Sequence, residues 1–168
     1  MGTHHSYSDA SILAMARDAG HLLENLNLKL ATAESCTGGW LAKANTDLAG
    51  SSAWFERGFV TYSNDAKREL LGVSEETLDR YGAVSQQTAL EMTEGALRNS
   101  RGDFAIAVTG VAGPDGGSAD KPVGTVWIAW QRRGAQAGAA HYRFDGDRER
   151  VRRASVVAAL EGVLRLRG

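Results

Sequence analysis

The stretch that decides the fold is residues 28–39, which reads LKLATAESCTGG. Its first six residues, 28–33, are mostly apolar and predict a short buried strand. Polar and glycine residues follow in the loop 34–39, and residues 40–48 then predict a helix that stops at Gly50. A strand, a tight loop and a helix in succession form the unit from which layered α/β folds are built.

The segments on either side of this stretch continue the alternation of helices and strands. The further predicted helices are residues 8–26 with Ser8 as N-cap, 66–71 with Asn64 as cap and Gly72 as stop, a short helix opened by Ser74, a longer one from Ser85 to about Asn99, and 148–166. The further predicted strands are residues 54–63, 103–109, 123–131 and 138–145. The interleaving predicts helices on both faces of a sheet, and the hairpin expected around Gly134 makes that sheet mixed.

Length, charge and cysteine content limit the class of protein. The 168 residues fit one domain, and the net charge of −1 gives no electrostatic reason to expect nucleic acid or an anionic membrane as partner. The one cysteine, Cys36, cannot form an intramolecular disulfide, and no apolar run approaches the roughly 18 residues of a membrane-spanning helix. We expect a cytoplasmic protein with a disordered start or cloning scar at residues 1–7 and a single domain over residues 8–168.

Three loops leave the carboxyl ends of predicted strands, where ligands bind in open α/β sheets. In the first, residues 34–39, backbone N–H groups around Ser35 could stabilise an oxyanion or hold a phosphate, although Ser35 or Thr37 could equally be a simple N-cap. In the second, Lys67 falls in the first turn of a helix, where the helix dipole lowers the pKa of an amine and makes it a candidate general base. The alternatives are a solvated surface lysine and, for Tyr62, a strand aromatic with its hydroxyl in water.

The third loop, residues 109–117, is rich in glycine and suits contact with a carboxamide, a ribose or a phosphate; the alternative is a long surface turn. A basic cluster lies near the last helix and consists of Arg143, Arg148, Arg150, Arg152 and Arg153. Acidic residues are interleaved with these arginines, which favours a solvated face with local ion pairs. One or two of the arginines remain candidates for a substrate phosphate.

Several blocks of the sequence together resemble the CinA C-terminal domain family in its stand-alone form. These blocks are Ala33-Glu34-Ser35-Cys36-Thr37-Gly38-Gly39, Tyr62-Ser63-Asn64-x-x-Lys67, Gly82-Ala83-Val84-Ser85, the segment from Ala107 to Gly117, Pro122-Val123-Gly124-Thr125-Val126 and Phe144-x-Gly146-Asp147-Arg148. They follow the family's order and cover nearly all of residues 10–167. The resemblance implies a three-layer α/β/α sandwich with a mixed, mostly parallel sheet. It also implies hydrolysis of nicotinamide mononucleotide to nicotinic acid mononucleotide and ammonia, without metal or cofactor.

The resemblance also implies roles for individual residues. Ser35 matches the family's serine, and Lys67 and Tyr62 match its lysine and tyrosine. The hypothetical mechanism has Ser35 attack the carboxamide, while Lys67 takes the hydroxyl proton directly or through Tyr62. The candidate substrate-binding residues are Thr37, Gly38, Gly39, Thr109, Gly110, Gly113, Arg148 and Arg152.

Other functions stay open on the sequence alone. The chain could be a catalytically weak regulatory module that binds pyridine nucleotides, or an amidase for another nucleotide-like amide. Cys36 is an alternative nucleophile, although no histidine lies nearby in sequence to activate its thiol. A homo-oligomer, with a site shared between subunits, is compatible with the sequence.

Overall fold

A five-stranded sheet crosses the middle of the computed structural model, which describes residues 7–167. Its strands are β1 (Leu30–Glu34), β2 (Phe55–Val60), β3 (Phe104–Gly110), β4 (Thr125–Arg132) and β5 (Gly138–Arg143), in the spatial order β2-β1-β3-β4-β5. Strand β1 runs parallel to both neighbours, β4 runs antiparallel to β3, and β5 runs antiparallel to β4. Four of the five strands therefore share one direction, which confirms the mixed, mostly parallel sheet.

Six helices of the described chain cover the two faces of this sheet. They are α1 (Asp9–Asn25), α2 (Trp40–Thr46), α3 (Asn64–Leu71), α4 (Glu75–Tyr81), α5 (Gln86–Arg98) and α6 (Arg148–Leu164). Helices α1, α2 and α6 contribute to one apolar core, and α3, α4 and α5 contribute to the other. The three-layer α/β/α arrangement is thus confirmed.

The alternation of side chains along β3 shows why two cores form. Phe104, Ile106 and Val108 point into the core of α1 and α6, whereas Ala105 and Ala107 point to the core of α5. Successive residues of a strand face opposite sides of a sheet, so one strand supplies large side chains to one layer and alanines to the other. The alanines allow α5 to approach the sheet closely.

Two predicted boundaries around the second loop were wrong by a few residues. Strand β2 ends at Val60 and not at Ser63. The Thr61 N–H still bonds to the Glu34 carbonyl at 2.8 Å, and the chain then turns away from β1. The cap of α3 is Ser63 and not Asn64, since the Ser63 hydroxyl accepts from the Ala66 N–H at 3.0 Å. Ser63 has extended backbone dihedrals, as an N-cap requires, whereas Asn64 is already helical.

Residues 1–6, which make up most of the expected disordered start, lie outside the described residues. Within the described part of the chain, no helix is long and apolar enough to cross a membrane.

Candidate active site

The carboxyl ends of β1 and β3 and the turn after β2 meet around a cavity of about 300 Å³. Its wall is formed by Ser35, Cys36, Tyr62, Asn64, Lys67, Ala83, Val84, Thr109, Gly110, Val111, Ala112, Gly113, Asp115, Gly116 and Arg148. Parallel strands bring their carboxyl ends to one edge of the sheet, which is why loops distant in sequence converge here. A larger hollow of about 480 Å³ lies between α1 and α2, but none of the predicted catalytic residues lines it.

The central contact of this cavity joins Lys67 to Ser35. The Lys67 Nζ lies 3.0 Å from the Ser35 Oγ, which is hydrogen-bonding distance for transfer of a proton between them. The amine also donates to the backbone carbonyl of Thr61 at 2.9 Å and lies 3.4 Å from that of Tyr62. These contacts fix the lysine head group, because the turn after β2 surrounds it with acceptors.

Burial controls the charge of Lys67. Its side chain is 1 % exposed, and no carboxylate of the described residues forms an ion pair with it. Burial disfavours the ammonium form and lowers the pKa of Lys67 below its ordinary value of 10.5. The lowered pKa that the sequence predicts is therefore attributed first to burial of the amine. A neutral amine in contact with a serine hydroxyl can act as its general base.

The N-terminus of α2 is occupied by a side chain of the protein itself. The buried Glu34 carboxylate accepts from the Thr37 hydroxyl at 2.7 Å and from the backbone N–H groups of Leu41 at 2.7 Å and Ala42 at 3.0 Å. Burial raises the pKa of Glu34, and these donors oppose that rise. The N–H groups at this helix start are therefore not available to a substrate oxyanion or phosphate.

This arrangement places the predicted substrate-binding residues 37–39 outside the wall of the cavity. Thr37 is fully buried with its hydroxyl on Glu34, and neither Gly38 nor Gly39 lines the cavity. The structure gives these residues the task of shaping a tight turn, with φ of +60° at Gly38 and +99° at Gly39. Glycine adopts such positive φ values without the steric penalty that other residues incur.

Cys36 lines the cavity but is a poor nucleophile. Its side chain is 5 % exposed, and burial, with the nearby Glu34 charge, raises the pKa of the thiol to about 12. The thiolate is the reactive form of cysteine, so almost none is present at neutral pH. The structure therefore favours Ser35 over Cys36.

Tyr62 and Arg148 form the outer rim of the cavity. The Tyr62 side chain is 61 % exposed, and its hydroxyl accepts from the Arg148 Nη2 at 3.1 Å. Arg148 also donates from Nη1 to the Gly113 carbonyl at 2.7 Å. The structure shows no hydrogen bond from the Tyr62 hydroxyl to Ser35 or Lys67, so the direct route from serine to lysine is the one that the geometry provides.

The glycine-rich loop lines the opposite wall of the cavity. The buried Thr109 hydroxyl donates to the Ala83 carbonyl at 2.7 Å and thereby fixes the segment before α5 against the end of β3. Gly110 and Gly113 also lie in the wall, but a Cβ on either would meet a protein neighbour, at 2.7 Å from Val126 and 2.5 Å from Val123 respectively. Packing within the protein is therefore reason enough for glycine at both positions, apart from any role in letting a ligand approach the backbone.

The arginine cluster divides into different roles. Arg148 alone lines the cavity, whereas Arg152 donates to the backbone carbonyls of Cys36 and Thr37. Arg152, which the sequence predicts as a substrate ligand, thus contacts the loop that carries Ser35 and does not border the cavity. Arg153 pairs with Asp9 and Glu149, as expected for a solvated face.

Seven residues that line the cavity were missed by the sequence analysis as site residues: Asn64, Ala83, Val84, Val111, Ala112, Asp115 and Gly116. The sequence predicts Asn64 only as a helix cap, and Ala83, Val84, Val111, Ala112 and Gly116 carry no functional side-chain group. Asn64 and Asp115 could have been suspected only from their positions inside the second and third loops.

Among the described residues, no group of three or more histidine, cysteine, aspartate or glutamate side chains is placed to hold a metal ion. The cavity presents an amine, a hydroxyl and backbone N–H groups.

Comparisons with known proteins identify the family of the chain. The family model of the CinA C-terminal domain matches residues 12–166. The chain is 50% identical over 154 residues to a nicotinamide-nucleotide amidohydrolase PncC of Escherichia coli K12, with 92% of this chain and 93% of that protein aligned. It is 53% identical over 155 residues to a protein of the same name in Pseudomonas putida, with 92% and 96% aligned.

Solved structures give the same result. The crystal structure of competence/damage inducible protein CihA from Agrobacterium tumefaciens superimposes with a TM-score of 0.91 at 49% identity and covers 100% of both chains. A CinA superfamily protein from Escherichia coli superimposes with a TM-score of 0.90 at 38% identity, over 99% of this chain and 94% of that one. The chain therefore belongs to the CinA C-terminal domain family.

Proposed function

We propose that this protein is a nicotinamide-nucleotide amidohydrolase, which converts nicotinamide mononucleotide and water to nicotinic acid mononucleotide and ammonia. The observation that carries the proposal is the buried Lys67 amine at 3.0 Å from the Ser35 hydroxyl, inside a cavity that opens to solvent. The relatives with about 50% identity that are named for this activity support the choice of substrate.

In the proposed reaction, the Ser35 Oγ attacks the carboxamide carbon while neutral Lys67 takes the hydroxyl proton. The Lys67 ammonium then gives this proton to the amide nitrogen, the carbon–nitrogen bond breaks, and ammonia leaves. A water molecule attacks the resulting ester, Lys67 takes a proton from that water, and Ser35 leaves as a hydroxyl after recovering it. One amine at one position can serve each proton transfer, because the Ser35 Oγ beside it and the attacking or leaving groups are all bonded to the same carbon.

The oxyanion of the two tetrahedral intermediates needs donors that no other group occupies. The Ser35 N–H is taken by the Val108 carbonyl at 3.0 Å, and the Val111 N–H by the Thr125 carbonyl at 2.8 Å. The N–H groups of Cys36 and Ala112 donate to no other residue in the described chain, and both residues line the cavity. We propose these two groups as the oxyanion donors, because Cys36 directly follows Ser35 and Ala112 lies in the glycine-rich loop of the same cavity.

The rim residues suit the remainder of the nucleotide. Arg148 is the arginine of the cluster that lines the cavity, and its guanidinium is the proposed partner of the substrate phosphate. Tyr62 lies beside it and presents an exposed ring that can contact the nucleotide. Tyr62 is thus proposed as a binding residue first, and as a proton donor only if substrate binding displaces its hydroxyl from Arg148.

The decisive test is incubation of the purified protein with nicotinamide mononucleotide, without added metal, and measurement of nicotinic acid mononucleotide and ammonia by chromatography. The variants are Ser35→Ala and, as a matched control, Ser52→Ala, since Ser52 is exposed and lies away from the cavity. Release by the wild type and by Ser52→Ala, but not by Ser35→Ala, is the expected result.

Other results would point elsewhere. Full activity in Ser35→Ala would exclude the serine mechanism. Binding of the nucleotide by wild type without ammonia release would favour the regulatory module, and ammonia release from a different nucleotide-like amide alone would favour another amidase.

A further inference from the structure

A side chain of α6 holds the loop that carries Ser35, although it lies far away in sequence. The Arg152 Nε donates to the Cys36 carbonyl at 3.1 Å, and its Nη2 donates to the Thr37 carbonyl at 3.2 Å. One planar guanidinium therefore bridges the carbonyls of the two residues that directly follow Ser35. The fork of a guanidinium is suited to such a pair of acceptors, which a single ammonium cannot reproduce.

The surroundings of Arg152 are built for this contact. The guanidinium lies over the ring of Trp40, 5.2 Å from its centroid, and no carboxylate in residues 7–167 forms an ion pair with it. Gly38 leaves the room that the guanidinium needs, since a Cβ at this position would lie 3.3 Å from Nη2. The loop carbonyls are thus the polar partners of Arg152, rather than an acidic residue.

Two opposite charges together fix the short loop between β1 and α2. Glu34 accepts from the N–H groups at the start of α2, and Arg152 donates to the carbonyls of the preceding turn. Side chains therefore hold both the start of α2 and the carbonyls of the turn before it, which restricts the movement of the backbone between them.

We propose that Arg152 is a positioning residue, which keeps the Ser35 Oγ within hydrogen-bonding distance of the Lys67 amine by holding the carbonyls of Cys36 and Thr37. The proposal rests on the proposed function, because it assigns Arg152 to the reaction at Ser35. It acts through the loop and does not touch the substrate, since Arg152 does not line the cavity. A displacement of the serine by about 1 Å is enough to cost on the order of a hundredfold in rate.

The neighbouring Arg153 provides a matched control. Its guanidinium also lies over the Trp40 ring, at 4.9 Å from the centroid, and is half-buried like that of Arg152. Arg153, however, donates to Asp9, Glu149 and the Tyr7 carbonyl and not to the loop. Replacement of either arginine by alanine removes similar packing, but only Arg152→Ala releases the loop carbonyls.

The first measurement is kcat and KM for nicotinamide mononucleotide in both variants. Arg152→Ala is expected to lower kcat by about 10- to 100-fold with KM unchanged, while Arg153→Ala keeps the wild-type kcat. Guanidinium ion at millimolar concentration should restore part of the kcat of Arg152→Ala, because it can refill the site over Trp40. Equal kcat values in the two variants, or a loss of kcat that guanidinium does not relieve in a folded Arg152→Ala protein, would overturn the proposal.

The second measurement does not depend on the substrate. Hydrogen exchange of the backbone amides of residues 35–40 should become faster in Arg152→Ala than in Arg153→Ala. If the wild type releases no ammonia, the proposed substrate is wrong, but hydrogen exchange still tests the role of Arg152 in holding the loop. Faster exchange in Arg152→Ala alone supports that role, and equal exchange in both variants refutes it.

Discussion

Replacement of Lys67 by methionine tests the proton transfer that the structure places at the centre of the site. Methionine has a similar length and fills the buried space, but it has no amine to accept the proton of Ser35. The amine is the group within hydrogen-bonding reach of the Ser35 Oγ, at 3.0 Å, so the loss should equal the contribution of a general base. Such a contribution amounts to about 10²- to 10⁴-fold in kcat.

The pH dependence of kcat/KM provides a second test of Lys67 as the base. Because burial lowers the pKa of Lys67 below 10.5, the neutral base becomes available at a lower pH than for a solvated lysine. The kcat/KM of the wild type should rise with pH up to the lowered pKa and then reach a plateau, since protonation below that pKa removes the base. The residual activity of Lys67→Met should lack this rising limb.

The assay is chromatographic measurement of nicotinic acid mononucleotide over a range of pH, beside the control Lys43→Met. Lys43 lies on α2 with a side chain that is 66% exposed and paired with Asp47. An exposed pair of this kind contributes little, so Lys43→Met should behave as the wild type. A folded Lys67→Met protein with wild-type kcat, or one that keeps the rising limb, would refute the role of Lys67 as base.

Three further predictions concern residues around this pair. Cys36→Ala should keep wild-type turnover, because a thiol with a pKa of about 12 is not the nucleophile. If mass spectrometry showed that this variant no longer forms the acyl-enzyme, the prediction would be contradicted. Glu34→Gln should lower the free energy of unfolding by about 1–3 kcal/mol in urea titrations, since an amide NH₂ would face a backbone N–H of α2; unchanged stability would exclude the capping role. Arg148→Gln should raise the KM for nicotinamide mononucleotide about 10- to 100-fold and leave the KM for the riboside, which lacks the phosphate, unchanged. An equal rise in KM for both substrates would show that Arg148 does not bind the phosphate.

The α/β class and the location of the candidate site follow from local sequence patterns. Apolar strands followed by polar or glycine-rich loops identify residues 34–39, 62–67 and 109–117 as the edge of the sheet where a ligand binds. Parallel strands bring these loops together whatever the details of packing, so the proximity of Ser35 and Lys67 was predictable although they are 32 residues apart.

The partner of each polar group, by contrast, was decided only by the tertiary structure. A free helix N-terminus after Ser35 was a reasonable interpretation of the sequence, but the buried Glu34 carboxylate takes those N–H groups. Arg152 and Arg148 look alike in sequence, yet one holds the loop of Ser35 and the other borders the cavity.

Sequence patterns determine which residues enter strands, helices and loops, because those depend on neighbours a few positions away. Hydrogen-bond partners depend on the direction of each side chain once distant segments have packed, such as Arg152 and Cys36, which are 116 residues apart. Local sequence patterns therefore determined the fold class and the loops of the candidate site, and the family resemblance pointed to Ser35 and Lys67 within those loops. The packing of α6 and α2 against the sheet decided which charged side chains border the cavity and which bind the protein's own backbone.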